Sequence, residues 1–143
     1  MRLTRHTDNA LRCLTYLAVH TDRPVTSSEI ARRMGMSEDH LAKVVGRLAS
    51  LGYVDTQRGR SGGVRLARDP ADIRIGDVVR ECEDNLCLVE CFDPDTNQCP
   101  IAPACKLAGA LDRALQAFLQ VLDGVTLADL SREPKRLDKL MPA

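Results

Sequence analysis

Residues 26–66 read TSSEIARRMGMSEDHLAKVVGRLASLGYVDTQRGRSGGVRL. Thr26 and Glu29 have the spacing of a capping box, in which each side chain satisfies a free backbone N–H of the other. Ile30, Ala31 and Met34 then share one helical face. Gly35 stops that helix, because glycine enters the left-handed turn at little cost. Ser37 caps the next helix, with Glu38 and Asp39 well placed in the first turn of its dipole. Leu41, Val44, Val45, Leu48 and Leu51 line its buried side. Two short helices joined at Gly35, with small Ala31 near their crossing, form a helix-turn-helix pattern. Tyr53 and Val54 on one side, and Val64, Arg65 and Leu66 on the other, flank the loop DTQRGRSGG as two strands flank a hairpin tip. A hairpin in that place is the wing of a winged helix. A phosphate loop is the competing reading, and it fails because no Gly-Lys-Ser/Thr run with a following helix completes it.

Upstream, Leu3 to His20 reads as one helix, with Ala10, Leu11, Leu14, Leu17 and Ala18 at helical spacing. Downstream, Asp72 to Glu81 predicts a short helix with Ile75, Val78 and Val79 inward. Lys106 to Asp123 is the strongest helix in the chain. Leu107, Leu111, Ala114, Leu115, Phe118, Leu119 and Leu122 make a broad apolar stripe, widened by Ala110, Ala117 and Val121. That is more apolar surface than one small domain covers, and a two-fold partner buries it economically. Gly124 ends this helix, and Thr126–Leu130 adds a turn. The expected fold is mainly α with a small β wing: a winged helix-turn-helix plus a long dimerisation helix. The expected division is residues 1–70 for DNA binding, 71–130 for a cysteine loop and the dimerisation helix, and 131–143 as a mobile tail.

Charge supports that division. The 143 residues have no net charge, yet residues 1–68 carry a net of +6 and residues 69–143 a net of −6. The basic half suits a phosphate backbone, and the acidic half faces away from it. Ser37, His40, Lys43 and Arg47 lie on or near the polar side of the third helix, and Arg58 and Arg60 project from the wing. These six are the candidate DNA contacts. No stretch approaches the roughly 18 apolar residues of a membrane span. The charged N-terminus lacks the apolar core of a secretory signal, so the expected location is cytoplasmic.

Reduced cytoplasmic thiols read as metal or redox chemistry before structural disulfides. Of six cysteines, Cys91, Cys99 and Cys105 fall in ECFDPDTNQCPIAPACKL, separated by seven and five residues. Pro94, Pro100 and Pro103 stiffen the backbone between them. Zinc knuckles with paired Cys-x-x-Cys are absent, and loosely spaced single cysteines suit an iron–sulfur cluster better. Three thiolates leave one iron of a four-iron cluster for another ligand, where a small diatomic or oxidant attacks. Cys13 and Cys82 read as buried core residues. Cys87, four positions before Cys91, competes for a ligand role, and a metal-free thiol switch is the other alternative. His6, His20 and His40 are isolated. No nucleophile, base and orienting group occur together, so an enzyme is not expected.

Taken together, MRLTRHTDNALR, RGRSGGVRLA, IRIGDVVRECE, CPIAPACKL and TLADL resemble the nitrite-sensitive (NsrR) repressors, the nitric-oxide-sensing iron–sulfur members of the Rrf-type winged-helix regulators. The resemblance spans roughly residues 1–130. It implies a homodimer crossed by the long helix, a cluster between the domains and a palindromic operator. It implies cluster ligation by Cys91, Cys99 and Cys105, with Asp8 of the partner subunit completing the set. The cluster is expected to be [4Fe-4S], with [2Fe-2S] as the alternative. Nitric oxide is the implied signal, and nitrosylation of the cluster the implied cause of lost DNA affinity. The related cluster-assembly regulators (IscR), which sense cluster supply or oxidative stress, are the alternative. They use a His shortly after the third cysteine, where this chain has Lys106, Leu107 and Ala108.

Overall fold

The structure is a computed structural model, described over residues 2–59 and 62–142. Its elements run α1 (Arg5–Val19), α2 (Ser27–Met34), α3 (Glu38–Ser50), β1 (Val54–Gln57), β2 (Gly63–Leu66), α4 (Ile75–Cys82), α5 (Lys106–Asp123), α6 (Leu127–Leu130) and α7 (Pro134–Leu140). Single 3₁₀ turns at Pro70–Asp72, Glu90–Phe92 and Ala102–Ala104 interrupt the connections. The mainly helical fold with a two-stranded wing is the one expected.

Local chemistry sets the element borders. Thr4, Thr26 and Ser37 each accept a hydrogen bond from the backbone N–H three residues on. Gly35 ends α2 with φ of 63°, in the left-handed region where a Cβ is costly. The predicted capping box at Thr26 forms by half. Thr26 accepts from Glu29 N at 3.2 Å, but the Glu29 carboxylate turns away to Tyr16 and Arg23. A full box forms instead at Thr126 and Asp129, at the start of α6.

Helices α1, α2 and α3 enclose one aliphatic core with the wing. Leu14, Leu17, Ile30, Leu41, Val44 and Leu48 are almost wholly buried in it, and Cys13 packs among them. β1 and β2 pair antiparallel from Val54 opposite Leu66 to Gln57 opposite Gly63. Val25 adds a bridge to Val64, so the segment entering α2 braces the wing. Helix α4 lies across α1 and presents Ile75, Val78, Val79 and Cys82 to the same core.

The stripe of α5 divides in two. Leu115 and Leu119 are buried against the chain's own core, while Leu107 and Val121 are 63% and 68% exposed. Ala110, Ala114 and Ala117 share the exposed side. Residues 107, 110, 114, 117 and 121 alternate steps of three and four, the spacing of a helix–helix seam. The C-terminal end of α5 is fixed to α4. Arg80 grips Asp123 through two hydrogen bonds of 2.6 and 2.7 Å. Gly76 lies beneath this pair, where an added Cβ would come within 1.9 Å of Asp123 Oδ1.

Within the segment expected as a tail, the described residues carry α7 (Pro134–Leu140), which packs on α1. Asp138 accepts from Arg33 of α2 and lies 3.1 Å from His20 Nε2.

Candidate DNA-binding face and cysteine segment

Helix α3 buries Leu41, Val44, Val45 and Leu48 and turns His40, Lys43 and Arg47 outward. Its N-terminus is the exposed Ser37, whose Oγ lies 2.7 Å from His40 Nδ1. Ser37 thus fixes both the first turn and the imidazole above it. Arg5, His6 and Asn9 of α1 line one shallow cleft with His40 and Lys43. Arg5 and Asn9 were missed in the sequence reading. The basic run MRLTR was their signal, but only the packing of α1 beside α3 brings them to this face.

Arg47 differs from its neighbours on α3. Its Nη2 donates to the Glu81 carbonyl of α4 at 2.7 Å, so part of its guanidinium is already occupied. The wing presents Arg58 at its exposed tip, beside Gly59 at φ of 114°. Arg60 lies outside the described residues. Behind the wing, Arg68 donates to the carbonyls of Leu51 and Gly52 at 2.8 and 2.9 Å and stacks over the Tyr53 ring at 4.6 Å. One guanidinium thereby fixes the end of α3 to the start of β1.

The six cysteines are all unpaired and separate by environment. Cys13 and Cys82 are buried, and burial pushes their thiols up to about 12 and about 11. Ligation requires a thiolate, and both sites oppose it. Cys91, Cys99 and Cys105 are half-buried, and Cys87 is exposed. Cys91 sits in the 3₁₀ turn Glu90–Phe92, and the N–H of Cys99 is held by Asn97 Oδ1 at 3.0 Å. Cys105 occupies the N-cap position of α5 without capping it. Three free thiols on one segment fit an iron–sulfur cluster in kind of donor. The single chain does not gather them. Among the described residues, no group of three His, Cys, Asp or Glu side chains is close enough to hold one metal ion.

Asp8 stands on an exposed side of α1 and makes a loose pair with Arg12 at 3.9 Å. It is not the cap of α1, since Thr4 has that role. A direct link joins its helix to the root of the cysteine segment. Glu83, the residue that ends α4, accepts from the Thr4 N–H at 2.8 Å and lies 3.3 Å from the Thr4 hydroxyl.

The family model described as an iron-dependent transcriptional regulator, Rrf2, matches residues 3–133. The chain belongs to the Rrf2 family. It is 49% identical over 142 residues to the HTH-type transcriptional regulator NsrR of Geobacillus kaustophilus, covering 99% of this chain and 97% of that one. The NsrR of Bacillus subtilis is 47% identical with the same coverage. Among solved structures, T. potens IscR superposes with a TM-score of 0.76 at 26% identity, covering 100% of this chain and 93% of that one. CymR, the global cysteine regulator of B. subtilis, superposes at 0.75 with 28% identity, covering 92% and 97%. This Rrf2 chain therefore pairs a winged-helix face with a cysteine segment at the foot of α5. Among its described residues no helix is long and apolar enough to cross a membrane.

Proposed function

We propose that this chain is a nitric-oxide-responsive transcriptional repressor of the cytoplasm, binding a palindromic operator as a homodimer. The observation that carries the reading is near-half identity to NsrR regulators over almost the whole of both chains. The three free, half-buried thiols of one segment support it further.

Each part of the chain has a task in this reading. The exposed seam of Leu107, Ala110, Ala114, Ala117 and Val121 meets its copy across the two-fold axis. Cys91, Cys99 and Cys105 would hold an iron–sulfur cluster, with Asp8 of the partner subunit as a further, harder and weaker donor. The cluster would supply iron that can react with a small diatomic. Asp8 lies on α1, and Thr4 at the head of α1 holds Glu83 at the root of the cysteine segment. A change at the thiols is thus felt by the helix beside α3. Ser37, His40, Lys43, Arg47, Arg58 and Arg60, joined by Arg5 and Asn9, contact DNA. The two faces engage half-sites about one helical turn apart only at one mutual orientation.

The test is anaerobic purification with iron and sulfide analysis, an absorption spectrum, and DNA titration before and after nitric oxide. The duplex is one that the loaded protein selects from a random pool. We expect a brown protein that bleaches with nitric oxide and loses at least tenfold in affinity. A colourless zinc protein, or affinity unmoved by nitric oxide, would overturn the reading. In the cluster-supply alternative, affinity follows cluster loading, and nitric oxide has no privileged effect.

A further inference from the structure

Glu81 joins parts of the molecule that are far apart in the chain. It is the penultimate residue of α4, exposed at the surface. Its carboxylate accepts a hydrogen bond of 2.5 Å from the hydroxyl of Tyr53, a residue 2% exposed at the root of the wing. Its carbonyl accepts from Arg47 Nη2, in the last turn of α3, at 2.7 Å. The wing and the recognition helix are therefore both tied to one residue.

Neither tie is incidental. Burial, reinforced by the neighbouring Glu81 carboxylate, pushes the Tyr53 hydroxyl well above the usual phenol range, so it remains a donor. Arg68 stacks on the face of that ring and ties it to the end of α3. A hydrogen bond to a charged acceptor is stronger than a neutral one, and this one is partly sheltered.

Helix α4 has two further anchors. At its N-terminus Ile75 N donates to the Val125 carbonyl, just past the end of α5, at 2.9 Å. From its last turn, beside Glu81, Arg80 holds Asp123 of α5. The chain then runs from Glu81 and Cys82 directly into the segment that carries Cys91, Cys99 and Cys105. An eight-residue helix thus ties the end of α5 to α3 and to the residue before β1, through two adjacent residues of its last turn.

We propose that Glu81 is a positioning residue for DNA recognition, setting the angle at which α3 and the wing are jointly presented and passing displacement of the cysteine segment to both. The coupling to the cysteine segment rests on the function proposed above. The setting of the α3–wing angle does not. Arg47 acts here first as a tether and only secondarily as a phosphate contact. Phosphate attraction alone tolerates small errors of angle, whereas base readout does not. Loss of the Tyr53–Glu81 carboxylate bond, with the Arg47 tether left in place, should therefore lower specific binding and spare non-specific binding.

The experiment uses full-length Glu81→Ala, Glu81→Gln and Tyr53→Phe. Each is titrated with the selected operator duplex and with a scrambled duplex at one salt concentration, in cluster-loaded and metal-free forms. Iron content, absorption spectrum and thermal unfolding are recorded alongside. We expect Glu81→Ala and Tyr53→Phe to keep iron content, spectrum and scrambled-duplex affinity. Their operator affinity should fall about tenfold, and the loaded-to-free ratio should move toward one. All three variants keep the backbone carbonyl that Arg47 meets; Glu81→Gln alone of the two Glu81 variants also keeps a side-chain acceptor for Tyr53, and should recover most of the loss. Wild-type operator affinity and wild-type ratio in both Glu81→Ala and Tyr53→Phe would overturn the proposal. An equal loss on both duplexes, accompanied by lower thermal stability, would overturn it too, as a merely structural effect. Should Glu81→Ala fail to fold, Tyr53→Phe removes one oxygen and decides alone. A wild type without iron would sink the functional reading. The operator-to-scrambled ratio of the variants would still judge the α3–wing angle.

Discussion

Asp138 of α7 lies 3.1 Å from the Nε2 of His20 at the end of α1, across 118 positions of sequence. Its carboxylate also takes the guanidinium of Arg33 on α2. The last helix is thereby tied to both outer helices of the DNA-binding unit. Asp138→Ala should lower stability by roughly 1 kcal/mol, since a charge-assisted contact is weakened here by exposure. Chemical denaturation reads this, and stability equal to wild type would show that α7 rests on α1 without holding it.

In the proposed homodimer, the divided stripe of α5 separates association from folding. Val121→Asp and Leu107→Asp place charge on the exposed seam, so they should yield folded monomers in sedimentation equilibrium at micromolar concentration. Leu115→Ala, at a position 7% exposed in the chain's own core, should instead cost roughly 2–5 kcal/mol of stability. A Val121→Asp protein that remained dimeric would remove the seam from the interface.

Acid stability should depend on Glu29. Its hydrogen bonds from Arg23 and Tyr16 bring its carboxyl from an ordinary 4.5 down to about 2. The folded value lies below the unfolded one. The stabilisation is therefore complete above about pH 4.5 and fades as pH falls through about 2. Glu29→Gln should be less stable than wild type at neutral pH, and the two should converge toward pH 2. Parallel stability curves across that window would refute the assignment.

Thiol chemistry should follow burial. In metal-free native protein, iodoacetamide should modify Cys87, Cys91, Cys99 and Cys105 and spare Cys13 and Cys82 until the fold is opened. Peptide mass mapping reads the pattern. Rapid labelling of Cys13 in folded protein would contradict its place in the core. Cys99→Ala should abolish iron binding, whereas Cys13→Ala should keep it.

On the DNA face, Lys43→Ala should weaken operator and scrambled duplexes alike and flatten the salt dependence by about one counterion. Arg5→Ala should behave similarly if α1 flanks the backbone as its cleft with Lys43 suggests. An unchanged salt slope in either variant would take that residue off the phosphate contacts.

Much of this was legible in the sequence where the signal is local. Ser37, Gly35 and the limits of α5 at Lys106 and Asp123 were readable because caps and apolar periodicity act within a turn or two. The illegible features are those in which a distant group wins a competition. Glu29 could have closed its own cap, but Arg23 and the buried Tyr16 offer it better partners. Asp138 looked like tail charge because Arg33, 105 positions away, gives no local sign. Leu115 and Val121 belong to one stripe, and only the position of α4 decides which of them the chain covers. The thiols of Cys91, Cys99 and Cys105 were readable as a set by spacing. Whether they meet was not legible, and among the described residues no three such side chains come close enough to hold one metal ion.

Gly76, Arg80 and Asp123 act as one latch between two helices. A methyl group at position 76 would come within 1.9 Å of Asp123 Oδ1, so any side chain there has to push the carboxylate off the two hydrogen bonds that Arg80 makes to it. The smallest residue of the chain is thereby what keeps the latch shut: a change at any one of the three positions opens the same joint between α4 and α5.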